Sequence, residues 1–516
     1  MAIATLKLVC KPNLHLRPTT PFQCIRKVVP RSIAAVEASS SDQCTASIPE
    51  QQENKKVQGW KKLNSKELGL KNSMIASPTK KVLNLLKKKG YDVYLVGGCV
   101  RDLILKQTPK DFDIITSADL KEVMRTFSWC EIVGKRFPIC HVHMDGIVVE
   151  VSSFNTSSRC KPGMHFGHDI EAPSGCDNDD YLRWRNCLKR DFTINGLMFD
   201  PYARIVYDYM GGIEDIMRAK VRTVAPAAAS FQEDCARILR AIRIAARLGF
   251  SISKETAHSI KDYSSSVLRL DKGRLLMEMN YMLAYGSGEA SLRLLWKFGL
   301  LDILLPFQAA YFVRHRFRRR DKRTNMLLSL FSNLDRLLAP DRPCHSSLWV
   351  AMLALHKTLS DLPRDPLVVA AFSFAVHNGG NLSEAVGIAR RINKSHDVRF
   401  PELLDPSSLD AEALTDGVLD LAESVKGTLS QMTTRYLVSQ AMADYPQAPH
   451  SDMVFIPLGL YLKTVSIFDS VKVSSRRKFL SKQGKKIDYE SLAQGDLQEI
   501  RHVFARVVFD TVYPLY

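Results

Sequence analysis

Between residues 79 and 89, Val82, Leu83, Leu85 and Leu86 recur at helical spacing under a lysine-rich outer face. A short apolar strand follows (DVYLVGG, 92–98), then a helix start (VRDLIL, 100–105). Further strands are expected at DFDIIT (111–116), IVVEVSSF (147–154) and ARIVY (203–207). This alternation predicts a unit of short strands and helices that closes near Gly212. Beyond Val224 the period changes. Apolar residues return at helical spacing through 235–248, 274–283, 290–300, 348–359, 414–425 and 429–442, with few convincing strands. The expected fold class is α+β: a small mixed-sheet head at 77–214, a helical neck at 215–285, and a helical body and tail at 286–516.

Residues 1–76 do not join either pattern. The first 36 contain Lys7, Lys11, Arg17, Arg26, Lys27 and Arg31, scattered Ser and Thr, and no acid. That composition, without an apolar core, is that of an organelle transit peptide for chloroplast or mitochondrion, with the chloroplast slightly favoured. Residues 37–75 are too polar to bury a core and are expected to be linker. The longest apolar run, 367–376, is too short to span a bilayer, so no membrane partner is expected. Nothing in the pattern specifies an oligomeric state.

Charge narrows the partners. The formal net charge is +18, which points to a polyanion such as RNA or DNA. Two basic stretches, RHRFRRRDKR (314–323) and RRKFLSKQGKK (476–486), are candidate phosphate grips or else solvated loops. The 11 cysteines show no C-x-x-C spacing, which argues against a zinc ribbon and against a disulfide framework. Cys160, His165, His168, Cys176 and Cys187 are too irregularly spaced to read as more than a hydrophilic loop.

Candidate chemistry concentrates in residues 96–116, VGGCVRDLILKQTPKDFDIIT. Gly97 and Gly98, between strand and helix, leave backbone amides free for an anion, and Arg101 adds a charge one turn in. Alternate strand positions put Asp111 and Asp113 on one side, where their repulsion favours a hard cation such as magnesium. Glu150 interrupts an apolar strand, and beside the first strand it would supply a third carboxylate. Each feature alone also has a bland reading, as a turn, a strand end or a half-exposed strand. Together they imply phosphoryl transfer with two metal ions. On the helix at 231–250, Arg237, Arg240, Arg243 and Arg247 fall within about a third of the circumference. Asp234 lies on the same face as Arg237, while Ser230 and Glu233 have the spacing of a capping box.

Three blocks, GGCVRDLILKQTPKDFDI (97–114), KRDFTINGL (189–197) and FQEDCARILRAIRIAARLGF (231–250), resemble in order and spacing the class II nucleotidyltransferases. That family comprises tRNA CCA-adding enzymes and bacterial-type poly(A) polymerases. The resemblance covers about 91–250, is loose beyond, and is absent from the last sixty or so residues. It implies a DNA polymerase β-like head. It also implies metal binding by Asp111 and Asp113 with Glu150 as third acid, and triphosphate contacts from Gly98 and Arg101. Arg190, Asp191 and Asn195 match a ribose-reading motif, and Asp234 and Arg237 match a pair that reads the base without a template. Arg240 and Arg243 continue the stripe toward the nucleotide. Two magnesium ions are implied, with manganese able to substitute, and ATP and RNA 3′ ends as partners. Lys189 and Gly196 replace the family's Arg and Ala.

IVGKRFPICHV (132–142) is similar to a block of the poly(A) polymerases, so the expected activity is AMP addition to RNA. CCA addition to tRNA is the alternative. A catalytically inactive RNA-binding homologue is a second alternative, against which the intact Asp111/Asp113 and Asp234/Arg237 pairs speak. His141 and His143 also allow a metal pair, and 155–187 is expected to be a mobile loop with a basic end.

Overall fold

Eight short strands, each rich in β-branched or aromatic residues or paired to one that is, assemble into a single mixed sheet. The computed structural model describes residues 59–134, 138–154, 176–443, 451–471 and 486–514. The strands are β1 (Lys61–Asn64), β2 (Val93–Val96), β3 (Asp113–Thr116), β4 (Cys130–Val133), β5 (Ile139–Met144), β6 (Ile147–Ser153), β7 (Leu197–Asp200) and β8 (Ile205–Asp208). Their order is β1-β8-β7-β2-β3-β6-β5-β4. β3 and β6 run parallel, and the other neighbours are antiparallel.

Side-chain alternation gives the sheet two unlike faces. Leu95, Ile114, Val151 and Cys140 align across β2, β3, β6 and β5 and are fully buried. Against that face pack α1 (Ser77–Lys88), α2 (Gly98–Ile104) and α3 (Leu120–Thr126). Val82, Leu83 and Leu86 of α1 supply its apolar stripe.

The opposite face is divided. Over β2, β7 and β8 lies α4 (Asn178–Leu188), whose Asp177 cap accepts from the Asp180 backbone N–H at 2.6 Å. Buried Arg183 donates to the hydroxyls of Tyr94 and Tyr209, both at 2.9 Å, and to Asp180 at 2.8 Å. It also lies 4.4 Å over the Tyr207 ring. Burial favours neutral Asp180, but bonds from Arg183, Lys62 and Tyr209 hold its pKa down to about 2. Over β3, β6 and β5 the described part of this face stays open, and it carries the acids.

Two expectations need correction. Residues 61–76, expected as linker, belong to the fold: β1 pairs with β8 and Leu70 and Ile75 are buried. Lys61 and Lys62 make that strand unreadable from composition, because its bonding partner is an edge 140 residues away. Residues 178–188, expected as loop, are helical, because Arg183 and Asp180 are buried as a pair rather than solvated. Residues 1–58 and 155–175, including Cys160, His165 and His168, lie outside the described residues.

Past the sheet come α5 (Gly212–Met217), α6 (Ala227–Glu233), α7 (Ala236–Leu248), α8 (Lys254–Asp262), α9 (Lys272–Leu283) and α10 (Gly288–Lys297). The later helices include Ser346–Asp361, Pro366–His377, Ala411–Thr433 and Leu497–Val512. The described strands beyond Val224 reduce to Ser251–Ile252, parallel to Lys220–Val221. The apolar run at 367–376 forms Pro366–His377, which is buried against Leu497–Val512. Among the described residues no helix is long and apolar enough to cross a membrane.

Candidate active site

The parallel register of β3 and β6 sets Asp113 directly beside Glu150, and the antiparallel register of β6 and β5 sets Glu150 beside His141. Asp111 lies two residues before the start of β3, and its charge acts on Asp113. The expected three-acid cluster is therefore brought together on the open face. Half-burial of Asp113 lifts its pKa to about 6; Arg190 opposes the rise, and Glu150 and Asp111 add to it. Among the described residues no hydrogen bond reaches the Asp113 carboxylate, so the cluster lacks compensation. Glu150 is open to solvent, with His141 Nε2 at 3.8 Å.

Gly97 makes the approach to these acids. Its φ of +79° is a conformation few side chains tolerate, and a Cβ there would stand 3.4 Å from both Arg190 Nη1 and Asp113 Oδ2. The turn, Arg190 and Asp113 thus converge. Gly196, in place of the family's Ala, sits where a Cβ would come 3.2 Å from the Thr193 carbonyl oxygen.

The residues expected on the triphosphate and ribose form a chain of bonds instead. Buried Arg101 donates through Nε and Nη2 to Asp102 at 2.9 and 2.7 Å, and through Nη1 to Asn195 at 2.6 Å. Asn195 donates to Asp191 at 3.0 Å, and Arg240 of α7 donates to the other Asp191 oxygen at 2.9 Å. Burial alone would raise the Asp191 pKa, yet Arg240 holds it below the ordinary carboxylate range. Arg101, Asn195, Asp191 and Arg240 therefore tie head to neck, while Arg190 faces the acids.

The arginine stripe is real, but its members differ in employment. Arg237 spends Nη1 on Glu233 (2.8 Å) and on the Ser230 hydroxyl (3.0 Å). Arg243 turns to buried Glu278 of α9 at 3.5 Å and lies 4.8 Å over the Tyr281 ring. Arg247 feels Asp102, Arg101 and Asp111, which places the far end of α7 near the acids. The expected single helix at 231–250 is broken at Asp234, whose carboxylate accepts from the Ala236 backbone N–H at 3.0 Å. Ser230 lies inside α6, buried, so the Ser230/Glu233 capping box does not form. Asp102 was not singled out as a site residue; it is bonded by its sequence neighbour Arg101.

Among the described residues no group of three or more His, Cys, Asp or Glu side chains is placed to hold a metal ion by itself. The donor set still fits magnesium, which is commonly held by one or two carboxylates with substrate phosphates and water completing the shell. Of the residues that could have allowed another metal, Cys187 donates to the Gly196 carbonyl, and His143 is stacked on Trp129.

Two adjoining acids, with a third nearby, stand on the bare half of a mixed sheet, as a nucleotidyltransferase head would require. Comparison with known proteins agrees. Residues 93–222 match the poly A polymerase head domain, and 249–312 match the probable RNA and SrmB-binding site of polymerase A. Over these two segments the chain is similar to the class II nucleotidyltransferases. It is 35% identical over 246 residues to poly(A) polymerase I of Escherichia coli O6:H1, covering 46% of this chain and 51% of that protein. It is 34% identical over 219 residues to the CCA-adding enzyme of Geobacillus stearothermophilus, covering 42% and 52%. The chain thus spans about half the length of the curated relatives it matches. Among solved structures, the Bacillus stearothermophilus CCA-adding enzyme in complex with CTP is 22% identical over 77% of this chain and 93% of that one, with a TM-score of 0.42.

Proposed function

We propose that this chain adds AMP from ATP to RNA 3′ ends without a template. The observation that carries the reading is the row formed by Asp113 and Glu150 with Asp111 beside it. Asp111 and Asp113 would hold magnesium, which supplies activation of the attacking 3′-hydroxyl and neutralisation of the leaving pyrophosphate. Glu150 adds charge to that site. Arg190, aimed at the acids across Gly97, orients the incoming triphosphate. The Arg101–Asn195–Asp191–Arg240 chain keeps α7 above the acids, so that Arg237 and Asp234 present donors and an acceptor to the base.

Adenylate is favoured over CCA by the block at 132–142, of which 135–137 lie outside the described residues. The test is incubation of purified protein with each labelled nucleotide and a tRNA lacking its 3′ end. ATP-only tails of many residues are expected, and CTP incorporation would overturn the choice. The acid-free leader supports import into an organelle, which fusion of residues 1–76 to a fluorescent reporter would check.

RNA needs a grip beyond the acids. Lys254 and Lys261 of α8, Lys297 of α10 and Arg320 line a cavity of about 580 Å³ with Phe298 at its base. None of these four cations has an acidic partner among the described residues. Burial lowers the Lys297 pKa, with Arg320 and Lys261 adding to the fall. Arg319, by contrast, is used by the fold, stacked 3.7 Å over Trp296 and bonded to Asp302 at 2.7 Å. Each phosphate bound by a single-stranded RNA site contributes about 0.7 to the slope of log affinity against log salt. Lys261→Ala with Lys297→Ala is therefore expected to lower that slope by about 1.4, read by filter binding across a salt series. The second basic stretch, 476–486, lies almost wholly outside the described residues.

A further inference from the structure

Trp129 is 68% exposed, although tryptophan is among the most apolar surfaces a chain can offer. One face of its ring is stacked on His143, with centroids 4.6 Å apart and planes 14° from parallel. The Trp129 carbonyl also accepts from the His143 backbone N–H at 3.0 Å, so the pair is fixed by the sheet as well as by the rings. His143 lies near Glu131 at 3.8 Å and opposite Val148, which is itself exposed. The other face of the indole has no ring against it among the described residues.

The position of this stack follows from register. Asp113, Glu150, His141 and Glu131 form one row across β3, β6, β5 and β4, all on the open face. His143 is two residues from His141 on the same strand and therefore projects to the same side. From β3 to β5 is two strand spacings, about 10 Å, or about three stacked bases at ~3.4 Å each.

We propose that the free face of Trp129, backed by His143, stacks a base of the RNA primer within its last few nucleotides, holding the 3′ end at the acids. This rests on the reading of the site as an RNA 3′-end nucleotidyltransferase. Single-stranded RNA is commonly held by bases stacked on aromatic side chains, and such contacts tolerate any base because every base has a π-face. A rigid stack continuous with the acid row, which carries Glu131, His141 and Glu150 beside it, fits that partner better than an apolar protein surface. Trp129 is thus a positioning residue, remote from the reacting atoms.

The test compares wild type, Trp129→Ala and Trp129→Phe on an unstructured oligoadenylate primer. Trp129→Ala is expected to raise the KM for RNA roughly tenfold, leave the KM for ATP unchanged and hold kcat within about twofold, with Trp129→Phe intermediate. Independently of turnover, oligoadenylate should quench the indole fluorescence of wild type more than that of Trp129→Phe, since Trp184, Trp296 and Trp349 are buried and half-buried Trp60 is common to both proteins. An unchanged RNA KM in Trp129→Ala, in a preparation whose wild type extends RNA, overturns the stacking proposal alone. Quenching by RNA in a wild type that adds no nucleotide upholds the stack and overturns the enzymatic reading. Loss of a dimer on sedimentation of Trp129→Ala, with RNA binding intact, reassigns the patch to a second copy of this chain.

Discussion

Asp111→Ala and Asp113→Ala are each expected to reduce nucleotide addition by roughly a thousandfold or more, since each removes a ligand from a cation that stabilises several kcal/mol of transition-state charge. Loss of activity by itself does not separate a lost ligand from a lost fold. Asp113 supplies the separation. Its folded pKa of about 6 lies above the ordinary value of 3.8, chiefly from burial. The folded state therefore binds this proton more tightly than the unfolded chain, and stability is lost as pH rises from 3.8 to about 6. At pH 8 in metal-free buffer the ionised carboxylate costs about 3 kcal/mol. Asp113→Asn should then resist urea better than wild type at pH 8, with the gain shrinking through pH 6 and gone below about pH 4. Magnesium should raise the wild-type midpoint and leave the variant where it was. A variant that is both inactive and less stable at pH 8 would falsify the account of an uncompensated acid cluster.

Those acids were legible in the sequence because their strands are apolar runs in which a charge is conspicuous. Glu150 in IVVEV and the Asp111/Asp113 alternation needed only the assumption that the two strands adjoin, and β3 and β6 do. The amphipathic face of α7 was legible for a similar reason, its buried Ile238, Leu239 and Ile242 recurring at helical spacing. What failed was whatever depends on a distant partner. β1 contains two lysines in four residues and becomes a strand because β8 offers an edge. α4 reads as a polar loop, yet its inner side is polar by design: Arg183 and Asp180 meet three tyrosines from other elements. The break at Asp234 is invisible to periodicity, because the helical pattern resumes almost in phase on its far side. The Trp129–His143 stack was hidden for the same reason, as the rings meet through strand register.

The tie between head and neck has the second large expected effect. Asp191 is 8% exposed and its charge is met by Arg240 alone among the arginines of α7, the Arg101–Asn195 link meeting it only through a neutral amide. Removing one partner of a buried pair typically costs about 3–5 kcal/mol, because the other charge is left without compensation. Arg240→Ala should be destabilised by about that amount and should lose activity at temperatures where it remains folded, since α7 is then free to shift from the acids. Adding Asp191→Asn removes the orphaned charge while keeping the side-chain shape, so the double variant is expected to recover most of the stability and little of the activity. The sign with pH is opposite to that of Asp113. Because the Asp191 pKa is depressed in the fold, the stability from this pair is present above the ordinary carboxylate pKa and is lost as pH falls through the depressed value. The penalty of Arg240→Ala should accordingly shrink in acid. Urea denaturation of the four members of this cycle at pH 8 and in steps below pH 3.8 measures it, and additivity of the two single changes at pH 8 would mean that Asp191 and Arg240 do not hold the neck helix to the head.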